Sequence, residues 1–177
     1  MEEFSTPSVS TRQVGIRYGL ILGLISVAYF MVLVLTGVNA TDGWARWSGL
    51  IFSAALIVLA QIYFKQNGDG YMSYGQGMGI SFWISVISAA ISSIFFVAYL
   101  TVIDPDYAQL MKDLQMQAME EQGLSDDQIE DAMKIASKFT TPPFLLVFGI
   151  IGGVITSMLV ALPVTFFTKN ENPNMPE

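Results

Sequence analysis

From Gly70 to Ile103 the chain runs 34 residues without one Asp, Glu, Lys, Arg or His. About 20 apolar residues in an α-helix cross the roughly 30 Å hydrocarbon core of a bilayer, where every backbone N–H and C=O must be bonded within the segment itself. The run is therefore a membrane-spanning helix. Its centre also predicts a contact face, because Gly77, Ser81, Ser85, Ser88 and Ser92 recur at helical spacing and share one side. Apolar burial drives little association between membrane helices, so close approach over small residues and hydroxyl bonds across the contact do much of the holding. That face is expected to meet protein, with Phe82, Trp83, Ile84, Ile91, Phe95 and Phe96 towards lipid or bulky neighbours.

Composition agrees with a membrane chain. Hydrophobic residues make up 53% of it and charged residues 13%, against about 25% charged in soluble domains. There is no cysteine and no histidine, which excludes disulfides, zinc sites of the Cys/His type and triads with an imidazole base. No enzymatic activity, cofactor or nucleic-acid partner is expected. The formal charge of -7 is uneven, since residues 104–143 hold nine acids and three lysines, a net -6.

Three further spans accompany the first. Residues 1–17 form a polar segment ending in Arg12 and Arg17, and the apolar run Tyr18–Val38 follows, too long for the roughly 7–15 residues of a signal-peptide core. Val38 and Ala40 mimic a cleavage site, but the length favours a span. Gly15, Gly19 and Gly23 repeat the every-fourth small residue. A short polar turn, Asn39–Arg46, is flanked by Trp44 and Trp47, rings suited to the headgroup level. The next span, Trp47–Phe64, carries Gln61, expected to bond a neighbouring helix or a headgroup; lining a polar path is the alternative. Ser73 and Gln76 have capping-box spacing at the start of the charge-free helix. The last span, Phe144–Phe167, follows Pro142-Pro143 and carries Gly149, Gly153, Ser157 and Ala161, with Pro163 positioned to bend its final turns. Its ladder and the serine face are expected to make the tightest helix contact. The layout is an N-terminal segment 1–17, spans within 18–103, an acidic segment 104–143, a span over 144–168 and a tail 169–177.

The acidic segment reads as a helical hairpin. Asp104-Pro105 opens its first helix, in which Tyr107, Leu110, Met111, Leu114 and Ala118 recur at helical spacing. Gly123 breaks it. Ser125 and Gln128 then form a capping box, Asp126 and Asp127 favour the first turn, and Ile129, Ala132, Met133 and Ala136 make an apolar face. Tyr107, Leu110, Met111, Leu114, Ile129 and Met133 are candidates for docking a partner, with burial inside the hairpin as the plainer account.

The succession Ser73-Tyr74-Gly75-Gln76-Gly77 entering a span, the acidic Glu121-Gln122-Gly123-Leu124-Ser125-Asp126-Asp127-Gln128-Ile129-Glu130, and a closing glycine-rich span resemble a family of small bacterial four-span membrane proteins catalogued only as a domain of unknown function. The resemblance covers roughly residues 12–169. It implies an all-α, four-span layout in the bacterial cytoplasmic membrane, and brings no activity and no catalytic residues. Arg12 and Arg17 precede the first span and only Arg46 follows it, so the termini are expected inside and the acidic hairpin outside.

Candidate chemistry is thin. Asp126, Asp127, Glu130 and Asp131 read as a solvated helix face, and Met111, Met116, Met119 and Met133 as packing residues rather than copper(I) ligands. No loop has the alternating oxygen ligands of a calcium site. Two readings stand. One is a non-enzymatic structural or interaction protein that packs with itself, or in a larger membrane complex, and offers the acidic hairpin to a basic partner. The other is a small transporter or channel with a serine-lined path; the absence of ionisable groups within the spans counts against it.

Overall fold

The computed structural model of the chain describes residues 9–38 and 43–171. The helices are α1 Thr11–Leu35, α2 Gly43–Gln66, α3 Tyr74–Ala98 with a π-helical turn Tyr99–Ile103 continuing it, α4 Pro105–Glu121, α5 Asp126–Phe139 and α6 Pro142–Thr168. Four of them, α1, α2, α3 with its π turn, and α6, are long and apolar enough to cross a bilayer. The protein is an all-α membrane protein with four spans.

Three of the helices, α1, α2 and α6, start before the apolar runs that mark them. α1 starts at Thr11 rather than Tyr18 and stops at Leu35, because backbone bonding continues through the headgroup region whatever the side chains are. Its end is a Schellman motif, with Val38 N–H donating to Leu33 O at 3.0 Å and Gly37 N–H to Val34 O at 3.1 Å. Gly37 sits at φ +69°, a left-handed conformation that glycine adopts without a Cβ penalty. Gly43 to Arg46, expected in a turn, already belong to α2. Residues 39–42 of that turn, like 1–8 of the N-terminal segment and 172–177 of the tail, lie outside the described residues. The Ser73 cap forms as its spacing indicates: Gln76 N–H donates to Ser73 Oγ at 3.2 Å and Ser73 N–H to Gln76 Oε1 at 2.8 Å.

The chain divides into two units. One contains α1, α2, α3 up to Ser92 and α6 from Ile151. Within it α1 and α2 run antiparallel, since Tyr18 lies tilted against Tyr63 with ring centroids 5.9 Å apart while Tyr29 donates to Ala45 O at 3.1 Å and meets Phe52 at 5.5 Å. α3 contacts all three other spans. Gly15, Gly19 and Gly23 of α1 face Ile80 and Trp83, Ile84 and Ile87, and Ile91 in turn, so α1 and α3 run parallel. α6 returns antiparallel to α3, placing Thr165 by Gly77, Ser157 by Ser85 and Gly153 by Ala89. Beyond α6, Met72 and Asn170 exchange backbone hydrogen bonds of 2.8 and 3.0 Å, fastening the segment before α3 to the chain after α6.

Ile84, expected towards lipid or bulky neighbours, is fully buried and so meets neighbours. The missing side chain of Gly19 opens a hollow that the Ile84 backbone enters, and α3 has helices on more than its small face. Ser92 is half-buried, and Ser93 is buried instead. The row turned to α6 keeps a strict step of four, Gly77, Ser81, Ser85, Ala89 and Ser93, because i, i+4 residues of antiparallel helices stay in register over several turns.

The second unit is Ser93–Ile150. Here Ser93 Oγ lies 2.7 Å from where a Gly149 Cβ would stand. The π turn closes with Asp104 N–H donating to Tyr99 O at 2.8 Å. Asp104 caps α4 by accepting from Tyr107 N–H at 3.2 Å and from Tyr99 Oη at 3.1 Å. Burial and the Asp104 carboxylate both hold the Tyr107 phenol above its ordinary pKa. Residues 122–125 join α4 to α5, with Gly123 at φ +80°. On α5, Ser125 N–H donates to Gln128 Oε1 at 2.9 Å, and Lys134 Nζ pairs with Glu130 at 2.8 Å.

Candidate functional site

Polar side chains inside the first unit form one seam along α2, α3 and α6. Gln61 on α2 is fully buried at its head. Its Nε2 donates to Thr165 Oγ1 at 2.8 Å, Ser81 Oγ at 3.2 Å and Gly77 O at 3.2 Å, and its Oε1 accepts from Thr168 Oγ1. One amide thus ties three helices. Gly77 makes this possible: a Cβ there would stand 2.5 Å from Thr165 Cγ2 and 3.3 Å from Gln61 Nε2. Farther along, Ser85 Oγ lies within donating distance of Ser157 Oγ at 2.8 Å and Ser81 O at 2.7 Å, with Ser53 Oγ 3.5 Å from Ser157 Oγ. At the other end Lys65 Nζ donates to Thr168 O at 2.8 Å, satisfying a terminal carbonyl of α6 and placing a cation where the helix dipole favours it.

The seam is closed on itself. Among the described residues no buried side-chain nitrogen or oxygen lacks a hydrogen-bond partner. A serine becomes a nucleophile when a neighbouring base takes its proton. Ser81, by contrast, donates to Gly77 O at 2.9 Å, and Ser88 to Ser85 O at 3.3 Å. What this arrangement does chemically is hold helices in one rotation.

The other singled-out residues divide between the units. Gly15, Gly19 and Gly23 lie against α3, as does Gly153, whose Cβ position is 2.9 Å from Ala89 Cβ; Ser157 and Ala161 are buried. At these glycines α1 stands nearer the α3 backbone than α6 does. A Cβ on Gly15 would meet Ile80 O at 2.9 Å and one on Gly19 Ile84 O at 3.1 Å, whereas the nearest backbone atom to a Cβ on Gly153 is Ala89 Cα at 3.7 Å. Serines and alanine hold α6 off by one side-chain layer, while three glycines let α1 in. Of the candidate docking residues, Ile129 is buried, Tyr107, Met111, Leu114 and Met133 are half-buried, and Leu110 is exposed. They do not make one open patch. Exposed apolar side chains in that unit include Ile135 and Phe139, the latter edge-on to Phe144 and Phe148 at 5.7 and 6.4 Å.

Sequence reasoning missed Thr165 and Thr168. The signal was present, because Thr165 continues the ladder Gly149, Gly153, Ser157, Ala161 by one more step of four and Thr168 lies one turn beyond Val164. A family model described as "Protein of unknown function" matches residues 17–170. No curated protein and no solved structure matches the chain.

Proposed function

The chain belongs to the DUF4199 family of proteins of unknown function, and from that premise we propose that it is a non-enzymatic structural or interaction component of the bacterial cytoplasmic membrane. The observation that carries this reading is the closed seam: the hydroxyls and the amide that would line an aqueous path bond to one another and to backbone instead. The interaction surface is the acidic segment between α3 and α6, a helical hairpin outside the membrane. It offers the exposed acids Asp126, Asp127, Glu130 and Asp131 and the exposed apolar side chains Leu110 and Ile135 to a basic partner or to other subunits of a complex. Complementary charge steers such encounters and weakens with salt.

Cysteine accessibility tests the packing. Ser85→Cys and Ser88→Cys are expected to stay unlabelled by a hydrophilic maleimide in folded protein, and labelling from the aqueous side would make the serine face a solvent path and point to transport. Orientation is tested separately at Gln122, an exposed residue next to Gly123, whose positive φ would strain a side chain placed there. Gln122→Cys is expected to react with an impermeant reagent in intact spheroplasts; reaction only after lysis would place the hairpin in the cytoplasm.

A further inference from the structure

Acids outnumber cations 15 to 8 in this chain, yet two arginines have no carboxylate partner among the described residues. The ion pairs there join Lys134 to Glu130 and Asp131, and Lys169 to Glu171. Arg12 and Arg17 are held by aromatic rings instead. The Arg12 guanidinium lies over Trp83 of α3, 5.1 Å from the ring centroid, and that of Arg17 lies over Tyr63 of α2, also at 5.1 Å. Arg17 Nη1 further donates to Tyr63 Oη at 3.1 Å, and Tyr63 is itself braced by Tyr18. Both arginines are exposed.

A ring orients a guanidinium without cancelling its charge; a carboxylate would do both. Each arginine therefore keeps its charge and its remaining N–H fork, a geometry that matches two oxygens of a phosphate. Position selects the source of that phosphate. Arg17 immediately precedes the charge-free run Tyr18–Thr41, so its head stands at the edge of the hydrocarbon, the level of lipid headgroups rather than of bulk solution. Five residues apart on a helix, the two point about 140° apart around its axis, Arg12 towards α3 and Arg17 towards α2.

We propose that Arg12 and Arg17 form two separate binding positions for the phosphate of anionic phospholipid headgroups, one on either flank of α1. The site does not depend on which side of the membrane the termini occupy, nor on the role of the acidic segment.

Native mass spectrometry of the full chain, released from detergent after titration with phosphatidylglycerol or phosphatidylcholine, tests this. The wild type is expected to retain two phosphatidylglycerol molecules in preference to phosphatidylcholine. Arg12→Gln and Arg17→Gln each lose one, and the double variant binds both roughly tenfold or more weakly, since each basic side chain near the surface contributes to anionic-lipid attraction. Arg→Lys variants, which keep charge and lose the fork, fall between. Equal retention of the two lipids by wild type overturns the proposal without any variant having to fold. So does unchanged phosphatidylglycerol stoichiometry in a double variant whose thermal unfolding matches wild type. Displacement of the lipid by millimolar inorganic phosphate would overturn the headgroup assignment in favour of a free anion.

Discussion

Gly19→Leu is expected to be the most damaging single substitution in the spans, while Gly152→Leu leaves the thermal midpoint in detergent unchanged or slightly raised. A Cβ at position 19 would fall 3.1 Å from Ile84 O, 3.2 Å from Ile84 Cα and 2.8 Å from Ile87 Cβ. Backbone atoms cannot rotate away as a side-chain tip does. The α1 and α3 axes must separate, and the contacts of Gly15 and Gly23 loosen with them. Overpacking costs about 1–3 kcal/mol when the surroundings can adjust, and this site belongs at or above the upper end of that range. Gly152 has nothing within 4 Å of its Cβ position, and removing a glycine from a helix interior is favourable by up to about 1 kcal/mol. Unfolding midpoints of the two variants measured side by side decide the matter; equal shifts would mean that α1 does not dock on α3 through its glycines.

The second large effect is expected at Gln61, and its sign depends on what replaces the amide. Gln61→Leu removes the hub but strands little, because Ser81 still has Gly77 O, and Thr168 Oγ1 still has Val164 O at 2.9 Å. Interhelical hydrogen bonds in membranes contribute modestly, about 0.6 kcal/mol on average, so a loss of roughly 1–2 kcal/mol is expected from several of them together. Gln61→Glu is worse at neutral pH. An oxygen then replaces Nε2 beside Gly77 O, an acceptor with no proton to give, and an ionised carboxylate is buried among three helices. Urea or SDS unfolding of Gln61→Glu and Gln61→Leu beside wild type at neutral pH checks the order. A Gln61→Glu variant with wild-type stability at neutral pH would show that position 61 reaches water.

Much of the layout was legible because its causes are local. A bilayer of given thickness and the need to satisfy every backbone group select long charge-free helices, so the existence and order of α1, α2, α3 and α6 could be read one segment at a time. The Ser73–Gln76 box and the Asp104-Pro105 start are likewise contacts between near neighbours. Helix rotation is not local. Gly77, Ser81 and Ser85 indicated one protein-facing side of α3, but a single helix cannot state how many partners surround it, and so Ile84 was left between lipid and a bulky neighbour, which its burial beside Gly19 decides. The same limit hid the role of Gln61. Its isolated amide near a helix end was compatible with a headgroup, a lumen or a neighbour, and only the approach of Gly77 and Thr165 from two other helices decided between them. Sequence by itself determined four membrane spans and an acidic excursion between the third and the fourth. The tertiary structure alone decided that Gly15 and Gly19 meet the backbone of α3 while Gly153 meets the Ala89 side chain, because such an approach is set by the pair of faces that meet, and neither face carries that information alone.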